Sequence, residues 1–135
     1  MATNKFLRTT ASEALRLMFA ACEDDRPYTL FDVRDAHSYG HGHLPGALTL
    51  DEHTVGLWLE KLAPADPVFV YCQLGFSSQT FAKRFTDFGF REVHNIDGGF
   101  PALVEALRNA RDAAYASASE PDRPGDAGTL ARSAA

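Results

Sequence analysis

The sequence predicts an α/β fold: an open parallel sheet covered by helices on both faces. Apolar runs of strand length alternate with stretches of helical periodicity, an order that pairs strands in parallel through right-handed crossovers. One run, Val68 to Tyr71, is apolar or aromatic throughout, as a strand buried on both faces should be. At 135 residues and 45% hydrophobic composition, the chain can fill one ordinary core and no obvious second one. A single domain is expected over residues 1–115.

Phe6-Leu7-Arg8 reads as a short edge strand. Thr10 with Glu13 three residues later is a capping-box signature that starts a helix, on which Leu15, Met18, Phe19 and Cys22 share one face at i, i+3, i+4 and i+7. That spacing assigns Cys22 to packing. Asp24-Asp25-Arg26-Pro27 breaks the helix, because proline lacks a donor and biases its predecessor out of helical geometry. Tyr28 to Val33 follows as a buried strand. The stretch AHSYGHGHLPGALTL, with Gly40, Gly42, Pro45 and Gly46, reads as an irregular crossover into a short strand near Ala47 to Leu50.

Val55, Trp58, Leu59 and Leu62 again fit one helical face, giving a helix from about His53 to Leu62. After the Val68–Tyr71 strand comes a helix whose stripe is Phe81, Phe85 and Phe88, closed by Gly89 as a left-handed C-cap. Glu92 to Ile96 is the next strand and Asp97-Gly98-Gly99 a turn. Phe100, Leu103, Val104 and Leu107 form the last amphipathic face. Residues 116–135, rich in Ala, Ser, Gly and Pro with a single leucine, bury too little to offset an ordering cost of about 1–2 kcal/mol per residue. They are expected to be a disordered tail.

Thirteen Lys and Arg against 18 Asp and Glu give a formal charge of −5, which argues against a broad nucleic-acid footprint. Any anion site must be local. No apolar run approaches the roughly 20 residues that cross a bilayer, and MATNKFLRTT lacks the apolar core of a secretory signal, so a cytoplasmic protein without membrane contact is expected. Cys22 and Cys72 are too few for a disulfide framework. A reducing compartment suits a working thiol.

Cys72 ends the central strand and opens the loop Gln73-Leu74-Gly75-Phe76-Ser77, after which a helix begins. A thiolate nucleophile needs a site for the attacked group and stabilisation of negative charge. Gly75 permits a tight, left-handed turn, so that loop N–H groups converge as an anion nest beside the positive end of the following helix. The hydroxyl of Ser77 can face the sulfur or cap the helix, and Ser78 can do the capping instead. The competing structural reading is a small buried cysteine followed by ordinary turn and cap residues. Strand, cysteine, glycine turn and helix start in direct succession favour chemistry.

Two other chemistries compete. Phosphate-ester cleavage by cysteine needs a strong cation closing the loop, usually arginine. Position 78 is serine, and Lys83 and Arg84 lie a turn or more further on. Zinc is disfavoured because His37, His41, His43 and His53 sit among glycines without the regular Cys and His spacing of a metal site. A Cys–His catalytic pair requires the histidine loop to fold over Cys72.

With these residues in place, the chain resembles the rhodanese family, and within it the short single-domain thiosulfate sulfurtransferases of the GlpE type. The resemblance runs from about Phe6 to Leu107. LFDVRDAHSYGHGHLPGA looks like the first family signature, with Asp32, Arg34, His43, Pro45 and Gly46 in order. VFVYCQLGFSS resembles the active-site strand and loop, and NIDGGFPAL the closing glycine turn. The resemblance implies a rhodanese-like, open parallel five-stranded sheet with helices on both faces.

It further implies that Cys72 is the sulfur-carrying nucleophile, attacking thiosulfate or another sulfane-sulfur donor such as a persulfide. The resulting persulfide would be held by N–H groups of Gln73, Leu74, Gly75, Phe76 and Ser77. Cyanide or a thiol, including a protein thiol partner, would then accept the outer sulfur, with no metal and no organic cofactor. Asp32, Arg34 and His43 carry over as structural support. Many relatives place a positive or polar group in the middle of the loop, where this chain has Gln73, Leu74 and Phe76. The last motif usually ends in tryptophan, where this chain has Leu103. The alternative function is a rhodanese-like relay or regulatory module that turns over thiosulfate poorly.

Overall fold

The computed structural model describes residues 5–118. Five strands, β1 (Leu7–Thr9), β2 (Thr29–Asp32), β3 (Leu48–Thr49), β4 (Val68–Tyr71) and β5 (Val93–Ile96), form one sheet in the order β1-β5-β4-β2-β3. Every pairing is parallel. Five helices intervene: α1 (Ala11–Glu23), α2 (Ala36–His41), α3 (Val55–Lys61), α4 (Ser78–Asp87) and α5 (Gly99–Ala118). The expected five-stranded sheet is present.

Strand alternation sends successive side chains to opposite faces, so each helical layer packs against every second residue. On one face Leu30, Phe69, Tyr71 and Ile96 meet α1 and α5. On the other, Phe31, Val68, Val70 and Val93 meet α3 and α4. β4, at the centre, is fully buried along its length, which explains why its sequence never alternates.

The Thr10 hydroxyl accepts a hydrogen bond from Glu13 N at 3.1 Å and caps α1 as its signature predicts. The Glu13 carboxylate, however, turns to Arg16 rather than back to the cap. The face of α1 is rotated from the expected one. Ala11, Ala14, Leu15, Met18 and Ala21 are buried, whereas Phe19 is 48% exposed and Cys22 is exposed. Small alanines let α1 approach its neighbours closely, which a stripe counted from large residues misses.

The glycine-rich stretch after β2 departs from the expected loop. It forms the short helix α2, capped by the Asp35 carboxylate, which accepts from Ser38 N at 2.7 Å. No residue of α2 is buried, so it leaves no periodic apolar signal. The last helix runs through Ala116–Ala118, three residues into the segment expected as a tail. The rest of that segment, residues 119–135, lies outside the described residues.

Gly89 terminates α4 with φ +106°. Phe90 N donates to Phe85 O at 3.0 Å and Gly89 N to Thr86 O at 3.1 Å, the paired bonds of a Schellman motif. Phe90 then folds back onto Phe85, ring centroids 5.0 Å apart. Phe85 and Phe90 are thus core residues, and Phe88, placed on the same stripe by spacing, is 54% exposed. Phe85→Ala should destabilise the domain by about 3–5 kcal/mol in urea unfolding. Phe88→Ala should change it by less than about 0.5 kcal/mol; equal losses would contradict this packing.

Candidate active site

β2 and β4 lie side by side, and the connections leaving their carboxyl ends run in opposite directions across the sheet, to β3 and to β5. A crevice opens at such a switch point. The β4 loop brings Cys72 to it and the β2 loop brings Arg34.

Cys72 is buried, 2% exposed, and its sulfur accepts two backbone hydrogen bonds, from Gly75 N at 3.1 Å and Ser78 N at 3.3 Å. Gly75 makes this turn with φ +98°, and a Cβ there would press on Gly98 N and Ile96 O. Burial, the largest influence, pushes the thiol up. Hydrogen bonds from Ser77 and Ser78 and from Gly75 N outweigh it and bring the pKa down to about 7. The Ser78 hydroxyl is committed elsewhere, donating to Asn95 Oδ1 at 2.6 Å. The Ser77 hydroxyl and the two N–H groups therefore carry the stabilisation.

The loop is clamped from below by the β5–α5 turn. Gly99, at φ +62°, sits so close that a Cβ would overlap the carbonyl oxygens of Cys72 and Gln73. Phe100 N donates to Cys72 O at 2.8 Å. Leu103, one turn into α5, is fully buried in the core beneath. Outside the clamp, Gln73, Leu74, Phe76 and Ser77 are exposed, Leu74 and Phe76 by 61% and 73%.

Asp32 is fully buried at the end of β2 and the Arg34 side chain is 6% exposed. Arg34 Nε and Nη2 fork onto the carboxylate, with Nη2 to Oδ2 at 2.8 Å, and Arg34 N adds a third donor at 2.9 Å. Nη2 also donates to Gly42 O at 2.6 Å, which ties α2 to the sheet edge. The guanidinium lies 3.8 Å over the Phe100 ring. Tyr71, whose hydroxyl accepts from Leu44 N, is pushed up first by burial and then by its hydrogen bond to Asp32. This network braces the crevice without reaching the sulfur.

His43 is exposed, stacked on Tyr39 at 3.7 Å, and its Nδ1 pairs with Tyr39 O. His41 Nδ1 pairs with His37 O. Among the described residues no histidine bonds to Cys72, and no group of three or more His, Cys, Asp or Glu converges on a metal position. Cys22 and Cys72 are both free.

Spacing misses Asn95 and Gln79, and it offers Ser78 only as a helix cap, whereas its N–H meets the sulfur and its hydroxyl meets Asn95. Asn95, fully buried on β5, donates through Nδ2 to Gly75 O at 3.1 Å, and Gln79 Nε2 donates to the same oxygen at 3.0 Å. Two polar residues, His94 and Asn95, inside a four-residue buried strand are the available signal, since buried polar groups must find partners.

Fold and loop together define a parallel α/β domain carrying a hydrogen-bonded cysteine at the carboxyl edge of its sheet. Residues 10–106 match the Rhodanese-like domain family, and the chain belongs to that family. A thiosulfate sulfurtransferase GlpE of Coxiella burnetii is 40% identical over 75 residues, covering 56% of this chain and 70% of the relative. The GlpE of Shewanella oneidensis is 35% identical over 77 residues, covering 57% and 76%. With the GlpE of Stutzerimonas stutzeri the identity is 38% over 71 residues, 53% of this chain and 65% of the relative, so the chain spans just under two thirds of that protein's length. A rhodanese-like domain protein of Staphylococcus aureus superposes with a TM-score of 0.61 at 20% identity, covering 73% of this chain and 91% of the other.

Thiolate absorbance in the ultraviolet, taken as the difference between wild type and Cys72→Ser, should titrate with a midpoint near pH 7. Ionisation releases the proton, so the signal rises with pH. Ser77→Ala should move the midpoint up by about one pH unit, the loss of one hydrogen bond to a charged group. Arg34→Ala leaves the Asp32 carboxylate buried and unpaired, and should cost about 3–5 kcal/mol of stability in urea unfolding. A loss below about 1 kcal/mol would deny the pair its bracing role.

Proposed function

We propose that this chain is a thiosulfate sulfurtransferase that carries sulfur as a persulfide on Cys72. The observation that carries this reading is the pair of backbone N–H donors on a buried cysteine sulfur. The likeness to GlpE proteins over the same region supports it. In the first half-reaction the Cys72 thiolate attacks the outer sulfur of thiosulfate, the sulfur–sulfur bond of thiosulfate breaks, and sulfite leaves with the electron pair. In the second, cyanide or a thiolate attacks the outer sulfur of the persulfide and the Cys72 thiolate departs. The enzyme returns to its starting state, as in other two-step covalent mechanisms.

The N–H groups of Gln73, Leu74, Phe76 and Ser77 make no hydrogen bond among the described residues. They are the donors available to the added sulfur and to the thiosulfate oxygens. Among the described residues no cation closes the loop: Arg34 is held by Asp32, Lys83 pairs with Asp87 and Arg84 with Glu52. That absence fits a singly charged persulfide better than a phosphoryl dianion.

A second reading, a relay module that exchanges sulfur with a protein thiol and uses thiosulfate slowly, is favoured by the exposed Leu74 and Phe76. A cytosolic, reducing setting suits either, and among the described residues no helix is long and apolar enough to cross a membrane.

Intact-mass analysis after thiosulfate treatment should show one added sulfur atom, lost on cyanide addition. Cys22→Ser should retain it and Cys72→Ser should not. An unmodified wild type with thiosulfate and with low-molecular-weight persulfides would defeat the catalytic reading; modification by persulfides alone would favour the relay.

A further inference from the structure

Two of the groups that approach the Cys72 sulfur are themselves held by one side chain on the neighbouring strand. Asn95 sits on β5 beside β4, paired in register with Val70, and it is fully buried. Its Nδ2 donates to Gly75 O at 3.1 Å and its Oδ1 accepts the Ser78 hydroxyl proton at 2.6 Å. Gly75 and Ser78 are the same two residues whose N–H groups donate to the sulfur. The amide has one workable orientation, since a carbonyl can only accept a proton and a hydroxyl has one to give. Alternation along β5 puts Val93 and Asn95 on the α4 side of the sheet, which aims the amide at the start of α4.

We propose that Asn95 is a positioning residue for Cys72: its amide fixes the two ends of the loop arc, Gly75 and Ser78, so that their N–H groups meet at the sulfur. Asn95 touches neither the sulfur nor any substrate. Its effect reaches the thiolate through geometry alone, in two ways. Holding the Gly75 carbonyl fixes the peptide that follows the left-handed turn. Accepting the Ser78 hydroxyl proton pins the first residue of α4, which keeps the helix end and its N–H against the sulfur. A buried, fully satisfied amide of this kind rigidifies what it joins.

The inference rests on Cys72 working as a thiolate, and the test separates the two. Thiolate absorbance is titrated in a Cys22→Ser background for four proteins: unaltered, Asn95→Leu, Ser78→Ala and Leu15→Ala. Asn95→Leu keeps the branched side-chain skeleton and removes both hydrogen bonds. Its midpoint should rise by about one pH unit or more, giving roughly a tenfold smaller thiolate fraction below neutrality. Ser78→Ala, which removes one handle and keeps the backbone donor, should shift it in the same direction by less. Leu15→Ala, in α1 on the opposite face, should lower the urea midpoint and leave the titration unmoved.

A wild-type midpoint at the ordinary cysteine value would overturn the thiolate reading itself. A wild-type midpoint near 7 with both Asn95→Leu and Ser78→Ala unmoved would overturn only the role given to Asn95. If Asn95→Leu fails to fold, Ser78→Ala decides alone. A shift in Leu15→Ala as large as that in Asn95→Leu would reduce the effect to lost stability and sink the proposal.

Discussion

The contact on which this domain's site depends is the packing of the Gly99 backbone against the carbonyl oxygens of Cys72 and Gln73. No side chain fits between them, so the two peptide planes are held with their carbonyls toward the β5–α5 turn. Phe100 N completes the hold by donating to Cys72 O. In a trans peptide the N–H points opposite to the C=O. Fixing carbonyls on one side of the loop therefore turns N–H groups to the other, and the loop becomes a shell of donors without a charged side chain. Gly75 is needed for the same reason, because its φ of +98° bends the shell around the sulfur while the turn leaves no room for a Cβ.

Charge is divided cleanly along the carboxyl edge of the sheet. At β2 the strong ions are buried in one another: Asp32 accepts three donors of Arg34, and Arg34 faces Phe100 and Gly42. Breaking such a pair is costly, of the order of 3–5 kcal/mol, so it serves as a brace. At β4, among the described residues, the Cys72 sulfur meets neutral N–H donors and no ion pair. A neutral donor shell brings the thiol's pKa down to about 7 and, under the proposed reaction, lets the sulfur leave again as a thiolate. A cation in contact would hold the anion harder, the arrangement suited to a dianion.

How much of this the sequence discloses depends on whether a residue's neighbours in space are also its neighbours in the chain. The Cys72 loop and the Schellman end of α4 are local, and both could be read from spacing, as could the fully buried β4. The face of α1 could not, because Ala11, Ala14 and Ala21 are chosen by how closely the helix approaches its neighbours, and the larger Phe19 and Cys22 carried a competing stripe of the same period. α2 was lost for a different reason. A helix with no buried residue has no apolar period, and its capping Asp35 stood beside glycines that suggested a loop. Asn95 is the clearest case of a non-local residue: its partners Gly75 and Ser78 are 20 and 17 positions away.

The exposed rim extends the same reasoning to the substrate. Leu74 and Phe76 flank Gly75, whose backbone bends inward, so the side chains on either side are turned to water by the geometry that turns the N–H groups in. Nothing in the fold requires those two positions to be apolar, and burying them against a partner would gain about 1.5–3 kcal/mol each. A small dianion collects none of that gain, since it contacts the donors and not the rim. A larger sulfur carrier with an apolar surface around its sulfur collects it, on top of the same N–H contacts. Under the proposed reaction, the donor shell sets which atom is transferred, and the rim is the part of the site that discriminates among the molecules that bring it.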